Sequence, residues 1–127
     1  MHGKREDIPV VSQFGPSFYR RDAEWGDMIV AFVAFPAGTD STGVFKGLPN
    51  DRCQCPHWGY LLKGRMRVKY ADHDELVTAG EAYYMAPGHD ALMEEDCEVV
   101  EFSPKGEEYQ KMWEAANRNM AAMQRGG

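Results

Sequence analysis

The stretch Tyr60-Leu61-Leu62-Lys63-Gly64-Arg65-Met66-Arg67-Val68 decides the fold. An apolar run reaches a single glycine, and beyond it Arg65, Arg67 and Lys69 take every second position, so they share one face of a strand. Gly64 separates two strands, His57 to Lys63 and Arg65 to Tyr70. Directly upstream, Cys53, Cys55 and His57 also stand at every second position. If the same period holds there, two thiols and an imidazole come to one face, with Trp58, Tyr60 and Leu62 on the other.

Outward from this stretch the strand signals repeat. Met28 to Phe35 reads MIVAFVAF and closes on Pro36-Ala37-Gly38, a buried strand and its turn. Gly38 to Arg52 is a long loop of the kind that frames a site. Downstream, Glu75 to Thr78, Glu81 to Ala86, Asp90 to Glu94 and Val99 to Phe102 are short strands, divided by polar or glycine-bearing turns. Many short strands at this spacing make an all-β sandwich or barrel. The tail differs: between Gly106 and Gln124, Tyr109, Met112, Trp113, Ala116, Met120 and Met123 recur at helical spacing, with Pro104 before and Gly126-Gly127 after. This amphipathic helix is expected to lie on its own barrel in preference to a partner.

The chain has 127 residues, which makes one domain over 1–127 and is too short for two. A barrel core over about 26–104 and a helix over about 106–124 are expected within it. The net charge of −6 repels a nucleic-acid backbone on average, and the Arg65, Arg67, Lys69 stripe reads as a solvated face, so no nucleic-acid partner is expected. Apolar runs are too short for a membrane span and no signal peptide is read. Three cysteines, two of them one residue apart, do not form a secreted disulfide framework, and a cytoplasmic setting is expected.

From about Gly47 to Pro104 the sequence resembles a small single-domain cupin. Two landmarks carry the likeness: Tyr60 to Val68 is similar to the family's "y-V-L-x-G-x-x-x-V" hairpin, and Gly80 to His89 to its "G-D-x-x-x-x-P-P-G" element. The resemblance implies a cupin-type β-barrel (a double-stranded β-helix, or jelly roll) with a C-terminal helix, a homodimer and a small-molecule pocket in the barrel mouth. It also implies where metal ligands belong. Counted back from Gly64, the family's Glu position falls on His57, and its two His positions fall on Asp51 and Cys53, or on Asn50 and Arg52. The second-motif His position falls on Ala91, with His89 two residues earlier on the same strand face. The family's usual ligand set is thus replaced by other donors.

Cys53, Cys55, His57 and His89 are the candidate metal ligands, and soft thiolates with neutral imidazoles favour a divalent ion, zinc above all. All four together would close the site, whereas three would leave room for water and for chemistry. The leading expectation is a metal-binding cupin acting on or binding a small organic molecule, with no acid or base assigned. Two alternatives remain: a metal-free ligand-binding or sensing module whose cysteines are packing residues, and a thiol redox sensor using Cys53 and Cys55. Hydrolase-elbow, zincin and P-loop patterns do not occur.

Overall fold

The computed structural model describes residues 1–14 and 18–126. Among the described residues there are nine strands, β1 (Val10–Phe14), β2 (Phe18–Trp25), β3 (Met28–Phe35), β4 (His57–Lys63), β5 (Arg65–Lys69), β6 (Asp74–Thr78), β7 (Ala82–Met85), β8 (Asp90–Met93) and β9 (Cys97–Pro104), followed by a helix, α1 (Glu107–Gly126). A six-stranded sheet in the order β1-β2-β3-β9-β4-β7 faces a three-stranded sheet in the order β6-β5-β8. All described pairings are antiparallel.

From Met28 onward the strands follow the expected order. β9 is longer than the apolar run Val99 to Phe102, because it pairs with β3 along its whole length, from Met28↔Pro104 to Phe35↔Cys97. The helix continues to Gly126 instead of ending near Gln124. Met123 of the expected stripe and Gly127 lie outside the described side chains and residues. Ahead of Met28, the charged segment FYRRDAEW forms β2, in register with β3 from Tyr19↔Ala34 to Trp25↔Met28.

Alternation places the core between the sheets. In β4, His57, Gly59 and Leu61 point inward while Trp58, Tyr60 and Leu62 are exposed. Leu61, Met66, Val68 and Val99 are almost wholly buried and pack with Val33, Met85 and Met93. Gly64 is the corner at which the chain leaves the large sheet in β4 and enters the small one in β5; its φ of 95° lies in the left-handed region.

Arg65 and Arg67 share Glu94, each at 2.9 Å, and Lys69 reaches Asp40 at 3.2 Å. The basic stripe is therefore laced to neighbouring carboxylates, as a solvated face is. Helix α1 buries Met112, Ala115 and Ala116 against the barrel. Its Asn119 Nδ2 donates to the carbonyls of Val44 and Lys46 at 2.9 Å, which ties the helix to the loop between β3 and β4. Helix and loop together roof one end of the barrel.

Candidate metal centre

Three of the four expected donors converge. Cys53 Sγ lies 3.7 Å from His57 Nε2, and the donor atoms of Cys53, His57 and His89 all fall within 4.8 Å of one another. Each side chain is buried. Backbone bonds fix the arrangement: the Cys53 N–H donates to the His89 carbonyl at 3.0 Å, and Gly88 N–H donates to the Cys53 carbonyl at 2.8 Å. This isolated bridge locks the segment before β4 onto the turn before β8, so two donors far apart in sequence share one anchor.

The hydrogen bond behind His89 sets its tautomer, and His57 has two oxygen neighbours behind it. His89 Nδ1 is 2.7 Å from the Ala86 carbonyl, which can only accept, so Nδ1 carries the proton and Nε2 keeps its lone pair. His57 Nδ1 is 3.2 Å from Glu101 Oε1 and 2.6 Å from Ser103 Oγ. The Ser103 hydroxyl can accept from Nδ1 or donate to it, and the Glu101 carboxylate stands beside it, so the geometry admits the tautomer with the proton on Nδ1 and the Nε2 lone pair toward Cys53. Such a carboxylate behind a ligating histidine orients the ring and raises its basicity.

Electrostatics keep both rings neutral. Burial, foremost, lowers the pKa of His57, with Arg20 adding to it and Glu101 opposing. The pKa of His89 is lowered to about 4, again chiefly by burial, with His57 contributing. Burial pushes the Cys53 thiol up to about 12 and the Cys55 thiol up to about 11. Protonated thiols are poor nucleophiles, and a bound cation supplies the counter-charge that releases the proton. Two neutral imidazoles beside a thiol form a donor set suited to zinc.

Cys55 is not brought into this group. The chain from Arg52 to Pro56 is bent and carries no strand pairing beyond the Cys53 bridge, so the alternation does not extend upstream of His57. The Cys55 thiol, fully buried, packs with Cys53 and Met112 in an apolar cluster, against which Phe45, Tyr109 and Trp113 pack. Asp51 is exposed, and Ala91 lines the barrel cavity. Ala91 has no side-chain donor atom, and His89, two residues earlier, lies in the donor cluster.

The sequence leaves open which way Glu101 and Tyr83 face from their strands, and gives no sign of Ser103. Glu101 and Ser103 alternate with Cys97 and Val99 on the inner face of β9. Gly59 sits opposite both Glu101 on β9 and Tyr83 on β7, and the Tyr83 hydroxyl donates to Glu101 Oε2 at 2.8 Å across it. A Cβ at position 59 would collide with the Tyr83 ring. A glycine inside a strand pattern is the signal of this close approach. Burial and Glu101 together keep the Tyr83 phenol protonated, hence a donor.

Glu101→Gln is expected to lower zinc affinity by about 10- to 100-fold while the protein still melts cooperatively, because the amide holds His57 less firmly in the required tautomer. A competition titration against a chromophoric chelator measures it, and an affinity equal to wild type would show that Glu101 does not support the site.

The sequence matches no family model and no curated protein. Solved structures do match. An RmlC-like cupin from Shewanella frigidimarina is 15% identical, with a TM-score of 0.59 over 84% of this chain and 93% of that one. KdgF from Halomonas is 19% identical, with a TM-score of 0.56 over 82% and 93%. A variant of oxalate decarboxylase from Bacillus subtilis is 16% identical, with a TM-score of 0.59 over 83% of this chain and 31% of its own. These likenesses show the fold: the chain is a small cupin β-barrel of two antiparallel sheets with a C-terminal helix.

Proposed function

We propose that this cupin barrel binds zinc through Cys53, His57 and His89 and takes up a small organic molecule beside it. The observation that carries the reading is the convergence of the Cys53 thiol and the two imidazoles, with donor atoms all within 4.8 Å of one another in a buried cluster, and with the Ala86 carbonyl leaving the His89 Nε2 unprotonated. Cys53, His57 and His89 would hold the zinc, which when bound would supply Lewis-acid polarisation of a water or substrate oxygen. The residues around it hold the imidazoles in place and exclude water. The test is the metal content of protein purified without a chelating tag. One equivalent of zinc per chain is expected; metal-free protein whose melting temperature is unmoved by added zinc would sink the proposal.

The free and buried state of all three thiols supports a reducing, cytoplasmic setting. Among the described residues no helix is long and apolar enough to cross a membrane.

A homodimer is the second part of the proposal. On the outer face of the large sheet, the N-terminal segment covers one side, where Ile8 is buried, Arg21 donates to its carbonyl and Arg5 reaches Glu98. The other side stays open, with Trp58 stacked on Tyr84 at 5.1 Å and Tyr60, Leu62 and Phe102 beside them, all between 38% and 48% exposed. Together they present roughly 400 Å² of apolar surface, the size of the largest patch on a monomer and about half of what each partner contributes to a stable interface. A second copy of this face supplies a matching apolar centre. Sedimentation is expected to give a dimer that Trp58→Arg converts to a monomer with its zinc retained; a monomeric wild type at high concentration contradicts this.

A further inference from the structure

The cavity that His57 and His89 help to line restricts what the barrel can hold. It measures about 250 Å³ and reaches from the donor group to the roof formed by helix α1 and the loop after β3. A cavity of about 150 Å³ with aliphatic and aromatic walls admits benzene, so this space takes a single ring with one or two substituents. Phe35, Met66, Met85 and Met93 from the barrel and Met112 and Trp113 from the helix are among its walls. Methionine sulfur favours the edge of an aromatic ring and adapts to its substituents.

Polar groups are few and sit mostly at the ends. His57, His89 and Glu101 form one end, and Thr39, Asp40 and Ser41 belong to the loop. Arg20 also lines the space, but its Nε donates to Asp22 at 3.1 Å and its guanidinium lies 5.1 Å over the Trp113 ring, so its charge is already matched. A sugar would leave hydroxyls facing thioethers and phenyl rings, at about 1–3 kcal/mol for each unmatched group. Away from the zinc end, a free carboxylate would find no uncommitted cation among the described lining residues.

We infer that the occupant is a monocyclic aromatic compound carrying one hydroxyl, a simple phenol, with the hydroxyl at the His57–His89 end and the ring among the methionines. This deepens the zinc reading above and rests on it in one respect only, the anchoring of the hydroxyl.

Calorimetric titration with phenol, toluene and glucose, on zinc-loaded and zinc-free protein, tests it. Toluene is expected to bind one to one in both forms, and glucose in neither. Phenol is expected to bind both, about 10-fold or more tightly with zinc present. Ala116→Leu extends a side chain into the cavity from the helix and is expected to weaken both aromatic ligands by about 10-fold or more with zinc content unchanged. Should that variant fail to melt cooperatively, Val44→Phe fills the space from the loop and carries the same comparison. Failure of toluene and phenol to bind the zinc-free protein, or tight binding of glucose, overturns the inference. Equal phenol affinity in both metal states leaves the ring site standing and removes the zinc anchor instead.

Discussion

His57→Ala protein, purified without a chelating tag, is expected to contain essentially no zinc, its affinity reduced by more than about 100-fold. Removing a supporting residue from a zinc site costs about 10- to 100-fold, and His57 is proposed to contribute the coordinating atom itself. The substitution deletes Nε2, 3.7 Å from Cys53 Sγ, and also leaves Glu101 Oε1 and Ser103 Oγ without their shared partner at Nδ1. A thermal comparison separates the two effects. Under the zinc proposal, the metal at about 1,000 times its dissociation constant is expected to stabilise the wild type by about 4 kcal/mol, roughly 10–20 °C for a domain of this size. The variant is expected to lose that whole increment and to melt at the same temperature with or without zinc. A variant that still gains most of the shift would place the metal elsewhere.

The second large effect concerns the fold. Gly64→Ala is expected to destabilise the barrel by about 2–5 kcal/mol. A left-handed conformation costs a residue with a Cβ about 1–2 kcal/mol, and forcing atoms into filled space costs about 1–3 kcal/mol more. At Gly64 both apply: φ is 95°, and a Cβ would run into the Asp96 carbonyl and the Cys97 sulfur. Neither neighbour moves freely, because the Cys97 thiol donates to the carbonyls of Arg65 and Glu95 at 3.3 and 3.2 Å, in the very strand and turn that meet at this corner. Denaturant titration measures the loss. A variant within about 0.5 kcal/mol of wild type, the range of an ordinary surface substitution, would mean that the corner between the sheets is not constrained as described.

That corner was legible because Gly64 interrupts two runs that each have strand period. β3 and the later strands were legible for a similar reason, since each is marked by an apolar run or alternation and closed by Gly, Pro or Asp turns. β2 was not. Its Arg20 and Asp22 pair at 3.1 Å, and both reach the Tyr109 hydroxyl of the helix at 3.4 Å, so their placement depends on partners remote in sequence. Hydropathy alone cannot report a buried charge pair made by the tertiary fold.

The site divides in the same way. Cys53, His57 and His89 stand out by chemical type, and the cupin likeness points to the right end of the right strands. The convergence of Cys53 with His89 depends on one isolated backbone bridge, which no local period encodes. Cys55 has the same type and spacing as Cys53 but lies beyond the start of β4, where alternation no longer sorts the faces. Glu101 is an acidic residue in a strand, ordinary until Gly59 and Tyr83 are seen beside it.

The most direct test of the central claim is a cobalt(II) titration of the wild type, Cys53→Ser and Cys55→Ser proteins, followed by absorption. One equivalent of cobalt is expected to produce a thiolate-to-metal charge-transfer band in the near ultraviolet that is absent in Cys53→Ser and unchanged in Cys55→Ser. A band that survives in Cys53→Ser, or no saturable cobalt binding by the wild type, would contradict a metal centre built from Cys53, His57 and His89.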